Sequence, residues 1–171
     1  MKWLVVLAGL LVGCGAPEPD FMVGNLAFHV NTNEVNWIKT PAAQARIAVM
    51  VDVITEALGK TPSDIPWGST VLILDESASI CGGRGACWTV EDGDWQHPEG
   101  KAWVITTKSD AVGIGPPVTC VERFGLMHEL AHGLLPPGPA NWYHEDKELW
   151  NRIDGLWLNL LENAIQTYGD C

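Results

Sequence analysis

Residues 127–135 read Met-His-Glu-Leu-Ala-His-Gly-Leu-Leu, and this short stretch decides the interpretation of the whole chain. On a helix with 3.6 residues per turn, His128 and His132 lie on the same face, so both imidazoles can bind one ion. Glu129 lies beside them, where a carboxylate can take a proton from water. The spacing HExxH is therefore typical of a zinc site that activates water for hydrolysis. The alternative is a helix with two core histidines and a surface glutamate.

The surrounding residues predict one buried, amphipathic helix from about Cys120 to Leu135. Thr119-Cys120-Val121-Glu122 has the form of a capping box at its start. The apolar stripe, rotated away from the histidines, consists of Phe124, Met127, Ala131 and Leu134. Pro136-Pro137-Gly138 is expected to end the helix, because proline cannot continue the backbone ladder.

A third metal ligand is expected from outside this helix, because a catalytic zinc normally has three protein ligands. We predict His144, which follows His132 by twelve residues, beyond a Pro/Gly loop that could fold back on the metal. His29 lies far upstream, and His97 lies in a polar turn. The alternative donors are acidic residues, namely Glu145, Asp146, Glu148 and the more distant Glu162.

The helix, the chain reversal and the third histidine resemble the metzincin clan of zinc peptidases. Residues 164–169 are similar to the closing helix of several metzincin catalytic domains, and the resemblance covers about Phe28 to Cys171. It implies that Glu129 is the general base, which then passes the proton to the leaving amine. Tyr143 is a candidate donor to the developing oxyanion, although packing in the loop is the commoner role. The zinc ligands that the resemblance implies are His128, His132 and His144.

Two features depart from the clan. The clan has a glycine three residues after the second histidine and its third ligand three residues later, where this chain has Leu135 and Gly138. No methionine follows Met127, so Leu149-Trp150 is the nearest candidate for the place of the clan's methionine turn beneath the metal. A divergent metzincin-like protein, or a more general zincin, is therefore expected.

The first residues resemble a bacterial lipoprotein signal peptide. The apolar run from Trp3 to Val12 follows a basic residue and is too short to span a membrane, and Leu11-Val12-Gly13-Cys14 resembles a lipobox. The resemblance implies removal of residues 1–13 and acylation of Cys14, with an ordinary secretory signal as the alternative. Residues 14–20 would form a lipidated tether. We expect an exported protein, anchored to a bacterial membrane and facing the periplasm or the cell exterior.

The four remaining cysteines would lie in an oxidising compartment, where an even number suggests two disulfides. Of the three possible pairings we favour Cys81 with Cys87 and Cys120 with Cys171. The second would stabilise more, on the order of 4 kcal/mol in the chain-entropy model, because it closes a longer loop. Metal ligation by these cysteines is disfavoured by their unpaired spacing.

Residues 21–171 are sufficient for a single domain with a real core, since 47% of the whole chain is hydrophobic. A helix is predicted from Thr40-Pro41 to about Leu58. The predicted strands are Leu26–Val30, Val71–Leu74, Ala102–Thr107 and, as a weaker edge strand, Ala86–Val90. The last helix has one apolar face, formed by Ile153, Leu156, Trp157, Leu160, Leu161, Ala164 and Ile165.

This order of elements predicts an α+β, zincin-like fold. A small mixed β-sheet would be packed by the N-terminal helix and the HExxH helix, with a C-terminal helix closing the domain. If the resemblance holds, the strand containing Trp88 borders the cleft and pairs with an extended substrate.

Charge restricts the possible partners. The formal net charge of −11 at pH 7 argues against nucleic acid, because phosphates would be repelled. Glu91-Asp92-Gly93-Asp94 could hold calcium, but a polar turn is the default interpretation.

The leading hypothesis is a membrane-anchored zinc metalloprotease that hydrolyses peptides or proteins outside the cytoplasm. The sequence does not give its oligomeric state, and a monomer is assumed. One alternative is a non-peptidase zinc amide hydrolase of the cell envelope. The other is a lipoprotein binding module whose zinc is structural or absent.

Overall fold

The structure is a computed structural model. It describes residues 18–30, 36–66, 69–74, 86–90, 100–105, 121–123, 125–136 and 138–169. Several sequence predictions lie outside these residues, namely the signal peptide, most of the tether, the calcium segment 91–94, Cys14, Cys81, His97, Thr119, Cys120, Phe124 and Cys171.

A five-stranded mixed sheet forms one layer of the fold. Its strands are β1 (Phe21–Val23), β2 (Leu26–Val30), β3 (Thr70–Leu74), β4 (Ala86–Val90) and β5 (Gly100–Ile105). The order across the sheet is β1-β2-β3-β5-β4, with β3 parallel to both of its neighbours and the two outer pairs antiparallel. Within the described part of the chain, the strand that contains Trp88 therefore lies at an edge of the sheet, as predicted.

Helix α1 (Pro41–Ala57) begins and ends where the sequence predicts. The Thr40 side chain accepts a hydrogen bond from the Ala43 backbone N–H at 3.4 Å, and Pro41 occupies the first helical position, where no N–H is needed. The buried stripe consists of Ala43, Ile47, Met50, Val51, Ile54 and Thr55.

The HExxH helix is shorter at its start than predicted. A 3-10 turn at Val121–Arg123 precedes α2, which spans Leu126–Leu134. The buried carboxylate of Glu122, the acidic residue of the predicted capping box, forms a two-oxygen ion pair with Arg46 of α1, which compensates the cost of burying the charge.

The end of α2 and its apolar stripe agree with the prediction. Leu135 has an extended backbone (φ −81°, ψ 148°) because the following Pro136 disfavours the helical region. Met127, Ala131 and Leu134 are buried in the core.

A long helix closes the chain. Helix α4 (Lys147–Tyr168) is capped by Asp146, whose Oδ1 accepts from the Leu149 N–H at 3.0 Å. It buries Trp150, Ile153 and Ala164, while Ile165 is 41% exposed, so the predicted apolar face does not extend as far as Ile165. A one-turn helix, α3 (Pro139–Trp142), and strand β1 were not predicted.

The helices pack on one another and on the sheet. Helix α1 contacts α2 and α4, and α2 also approaches β4 and β5. The class is therefore α+β, with a mixed sheet and packed helices as predicted. Within the part of the chain that the structure describes, no helix combines the length and the apolar character needed to cross a membrane.

Candidate metal centre

Three imidazoles converge where α2 meets the loop before α4. His128 and His132 lie on α2, and His144 lies three residues before the start of α4. One nitrogen from each ring can be chosen so that all three lie within 4.8 Å of one another. The three rings are half-buried, so solvent can reach them. The structure thus brings His144 close enough to the two histidines of α2 for all three to bind one metal ion.

The donor set fits a metal ion such as zinc. The Nε2 atoms of His132 and His144 lie 3.1 Å apart. Two ligands of a tetrahedral zinc with bonds of 2.0 to 2.1 Å are separated by about 3.3 Å, so this spacing is close to that of a shared ion. Neutral imidazole also binds several other transition metals, so the donors alone do not identify the metal.

The two histidines of α2 each have a polar partner for the other ring nitrogen. His128 Nδ1 lies 3.2 Å from Asp154 Oδ1 on α4, and His132 Nδ1 lies 2.7 Å from Asn141 Oδ1 on α3. Such outer partners fix the orientation of a ligating ring and raise its basicity. With Nδ1 engaged in this way, Nε2 is the nitrogen that remains for a metal.

Trp150 packs against all three imidazoles. Its ring centroid lies 4.8, 4.5 and 4.0 Å from those of His128, His132 and His144. Its Nε1–H donates to the Ala140 backbone carbonyl at 3.0 Å, which holds the indole in place. Trp150, which belongs to the pair Leu149-Trp150 that the sequence suggested for the place of the methionine turn, supplies an apolar surface against the three rings.

The backbone at His144 has an unusual conformation. Its φ of 53° is the one positive value at a non-glycine residue within the described ranges. Such a conformation is uncommon and persists when the surroundings impose it. The chain reversal also uses Gly138, with a φ of 147°.

The other predicted site residues have different environments. Glu129 is buried, with 7% exposure, on the helix that carries His128 and His132. Tyr143 is 75% exposed, so its phenol is not packed in the loop. Among the described residues the metal-binding group contains only the three histidines, and Asp146, one of the alternative ligands, caps α4 instead.

Sequence reasoning missed Asn141 and Asp154. Asp154 follows Trp150 by four residues, so the two share a face of α4, and this spacing was a usable signal once Trp150 was assigned to the site. The sequence offers no comparable signal for Asn141, because its role depends on how α3 folds back on α2.

Comparisons with protein-family models, with curated proteins and with solved structures find no match.

Proposed function

We propose that the chain is a zinc-dependent hydrolase that cleaves peptide bonds. The observation that carries this proposal is the convergence of three imidazoles, two of which lie on the helix that also carries the buried Glu129. Three neutral nitrogen ligands leave a coordination position for water, as in catalytic rather than structural zinc sites.

The roles follow from the chemistry of the side chains. His128, His132 and His144 would hold the metal. Zinc, when bound, lowers the pKa of a coordinated water and polarises the scissile carbonyl. Glu129 takes the proton from the attacking water and delivers it to the leaving amine. Tyr143, which is exposed and precedes His144 in the sequence, would donate a hydrogen bond to the developing oxyanion.

The substrate would bind along the edge of the sheet. Strand β4 is an edge strand in the described sheet, and its backbone lies close to α2. An extended peptide can add to such an edge through main-chain hydrogen bonds. This placement supports a zincin-like arrangement, in which the cleft runs between the edge strand and the metal helix.

The proposal includes a location. Acylation of Cys14 after removal of residues 1–13 would hold the domain at a bacterial membrane, outside the cytoplasm. The support for this is the lipobox-like sequence and the short apolar run before it.

A two-part assay tests the function. The purified protein should contain one equivalent of zinc and cleave an unbiased peptide mixture, with activity lost in a chelator and restored by added zinc. Bound zinc without peptide cleavage would favour the non-peptidase amide hydrolase. Failure to bind zinc at all would favour a binding module and refute the enzyme.

A further inference from the structure

Asn141 connects the end of α2 to the segment that carries the third histidine. Its side chain is 4% exposed. Nδ2 lies 2.9 Å from the carbonyl oxygen of His132, 3.2 Å from that of Leu135 and 3.3 Å from that of Pro136. These carbonyls belong to the last turn of α2 and to the residues just after it, where the helix leaves acceptors without intrahelical donors.

The orientation of this amide is determined by its surroundings. An amide nitrogen donates and an amide oxygen accepts, so reversing the group would place Oδ1 against three carbonyl oxygens. Oδ1 must therefore face His132 Nδ1, at 2.7 Å. Because Oδ1 can only accept, the proton of a neutral His132 has to lie on Nδ1, which leaves the lone pair on Nε2.

We infer that Asn141 is a positioning residue that sets the tautomer of His132 and holds the segment that carries His144 against the end of α2. The inference rests on the metal centre of the proposed function, but not on hydrolysis or on the identity of the metal. Only a side chain that both accepts and donates can fill this place. Aspartate keeps the acceptor and loses the donors, whereas leucine loses both.

The contact between Asp154 and His128 is weaker than the contact between Asn141 and His132. The contact is longer, at 3.2 Å, and the Asp154 side chain is 44% exposed, so water competes with it. Asn141 is itself buried and makes four contacts at once, and it precedes His144 by three residues. The position of the third ligand is therefore coupled to the ring orientation of the second.

The direct test is the protonation pattern of His132 in the full chain after its metal has been removed with a chelator. Nitrogen-15 NMR at about pH 8.5, well above the ordinary imidazole pKa, distinguishes protonated from unprotonated ring nitrogens. We expect a protonated Nδ1 and an unprotonated Nε2 in His132. A proton found mainly on Nε2 overturns the inference without any substitution being made.

Two variants extend the test. In Asn141→Leu the His132 proton should redistribute between the two nitrogens, and zinc affinity, measured by competition with a chelator, should fall roughly 10- to 100-fold. In Asn141→Asp the proton should stay on Nδ1. Should Asn141→Leu fail to fold, the tautomers of the unaltered chain and of Asn141→Asp still decide the question. An unchanged tautomer and zinc affinity in folded Asn141→Leu would overturn the inference.

Asn25→Leu is the matched control. Asn25 lies in the turn between β1 and β2, and its amide also donates to backbone carbonyls, those of Ser63 and Ile65. Loss of the Asn25 amide should lower stability and leave the His132 tautomer and the zinc affinity unchanged. If Asn25→Leu and Asn141→Leu changed the tautomer and the zinc affinity equally, Asn141 would have only a general structural role. Loss of peptide cleavage with the expected tautomer refutes only the hydrolase, whereas an active peptidase with His132 protonated on Nε2 refutes only this inference.

Discussion

Glu129 is the residue on which the proposed chemistry depends. Glu129→Gln keeps the shape of the side chain and removes its ability to take a proton. We expect zinc content to remain at one equivalent while kcat for peptide cleavage falls by about 100-fold or more, since general base catalysis contributes about 10² to 10⁴. Metal analysis and steady-state kinetics on the same preparation measure both quantities.

The control for this variant is Glu162→Gln, which removes one charge from an exposed position on α4. The kcat of Glu162→Gln for peptide cleavage should equal that of the unaltered chain. Undiminished peptide cleavage by Glu129→Gln would exclude Glu129 as the base. Loss of zinc from Glu129→Gln would assign the residue a structural part in the centre.

Replacing His144 by alanine tests whether this residue is a metal ligand. Its Nε2 lies 3.1 Å from that of His132, and its replacement by alanine removes one of three donors. Zinc affinity should fall by more than about 100-fold, because losing an outer partner of a ligand alone typically costs 10- to 100-fold. His29→Ala on β2 is the matched control and should bind zinc as tightly as the unaltered chain. A competition titration that finds equal affinity for His144→Ala would remove the residue from the centre.

At the residue scale, the sequence predicted the three converging histidines better than it predicted the residues that contact them. His128 and His132 follow from helical spacing, and His144 was the nearest remaining histidine downstream. Asn141 and Asp154 carry no such pattern, because an amide or a carboxylate becomes a partner of an imidazole only through tertiary packing. The tight approach of Trp150 to all three rings depends on the angle at which α4 crosses α2, which a linear sequence does not specify.

Among the elements, α1 shows what a good local signal predicts. Thr40 supplies the side-chain oxygen at its start, and its hydroxyl also donates to the Trp37 carbonyl at 2.7 Å. Thr40→Ala should lower the free energy of unfolding by about 1 kcal/mol, the usual cost of a lost N-cap. Urea denaturation measures this. Thr167→Ala, near the exposed end of α4, should change stability by less than about 0.5 kcal/mol. Equal values for the two variants would contradict the capping role.

The predicted start of α2 at about Cys120 was wrong, because the helix begins at Leu126. Local sequence favours a cap at Thr119 and Glu122, but Glu122 lies beneath α1 and pairs with Arg46, 76 residues away. A buried carboxylate without a partner costs more than a cap contributes, so the pair with Arg46 determines the placement of the Glu122 side chain. The short elements β1 and α3 were missed because three or four residues show no periodicity from which to predict them.

The first strand is held by an acid-sensitive contact. Asp20 accepts hydrogen bonds from Lys39 Nζ at 2.6 Å and from the Val30 N–H at 2.7 Å, and these hold the pKa of its carboxyl below the ordinary 3.8. A lowered pKa in the folded state means that this stabilisation is complete above about pH 3.8 and is lost as the pH falls through the lower folded value.

Asp20→Asn should therefore be less stable than the unaltered chain at pH 7. The difference should shrink as the pH falls below 3.8, because the unaltered carboxyl is then protonated as well. Denaturant titrations at pH 7 and at lower pH measure the difference. Asp52→Asn, at an exposed position on α1, is the control. A difference that grows in acid would contradict the sign of the shift.

For the whole molecule, the α+β fold class was predictable from the sequence, and the order of the strands in the sheet was not. Apolar runs and helical periodicity gave strands and helices in the right order, which is sufficient for an α+β class. The sheet order, with β5 between β3 and β4, depends on the parallel pairing of Val71 with Ala102 and on the antiparallel pairing of Trp88 with Ala102. Such pairings join residues distant in the sequence, and nothing in a single strand specifies its neighbour.

The metal centre links α2, the loop after it and the start of α4, so metal binding should stabilise the whole domain. A ligand that binds only the folded state stabilises it by about 2.7 kcal/mol at a free concentration of 100 times Kd. For a chain of this length that corresponds to a rise in Tm of roughly 5 to 10 °C. Calorimetry with chelator and with added zinc measures the shift. His132→Ala should lose it and His29→Ala should keep it. An equal shift in all three proteins would mean that zinc binds elsewhere on the chain.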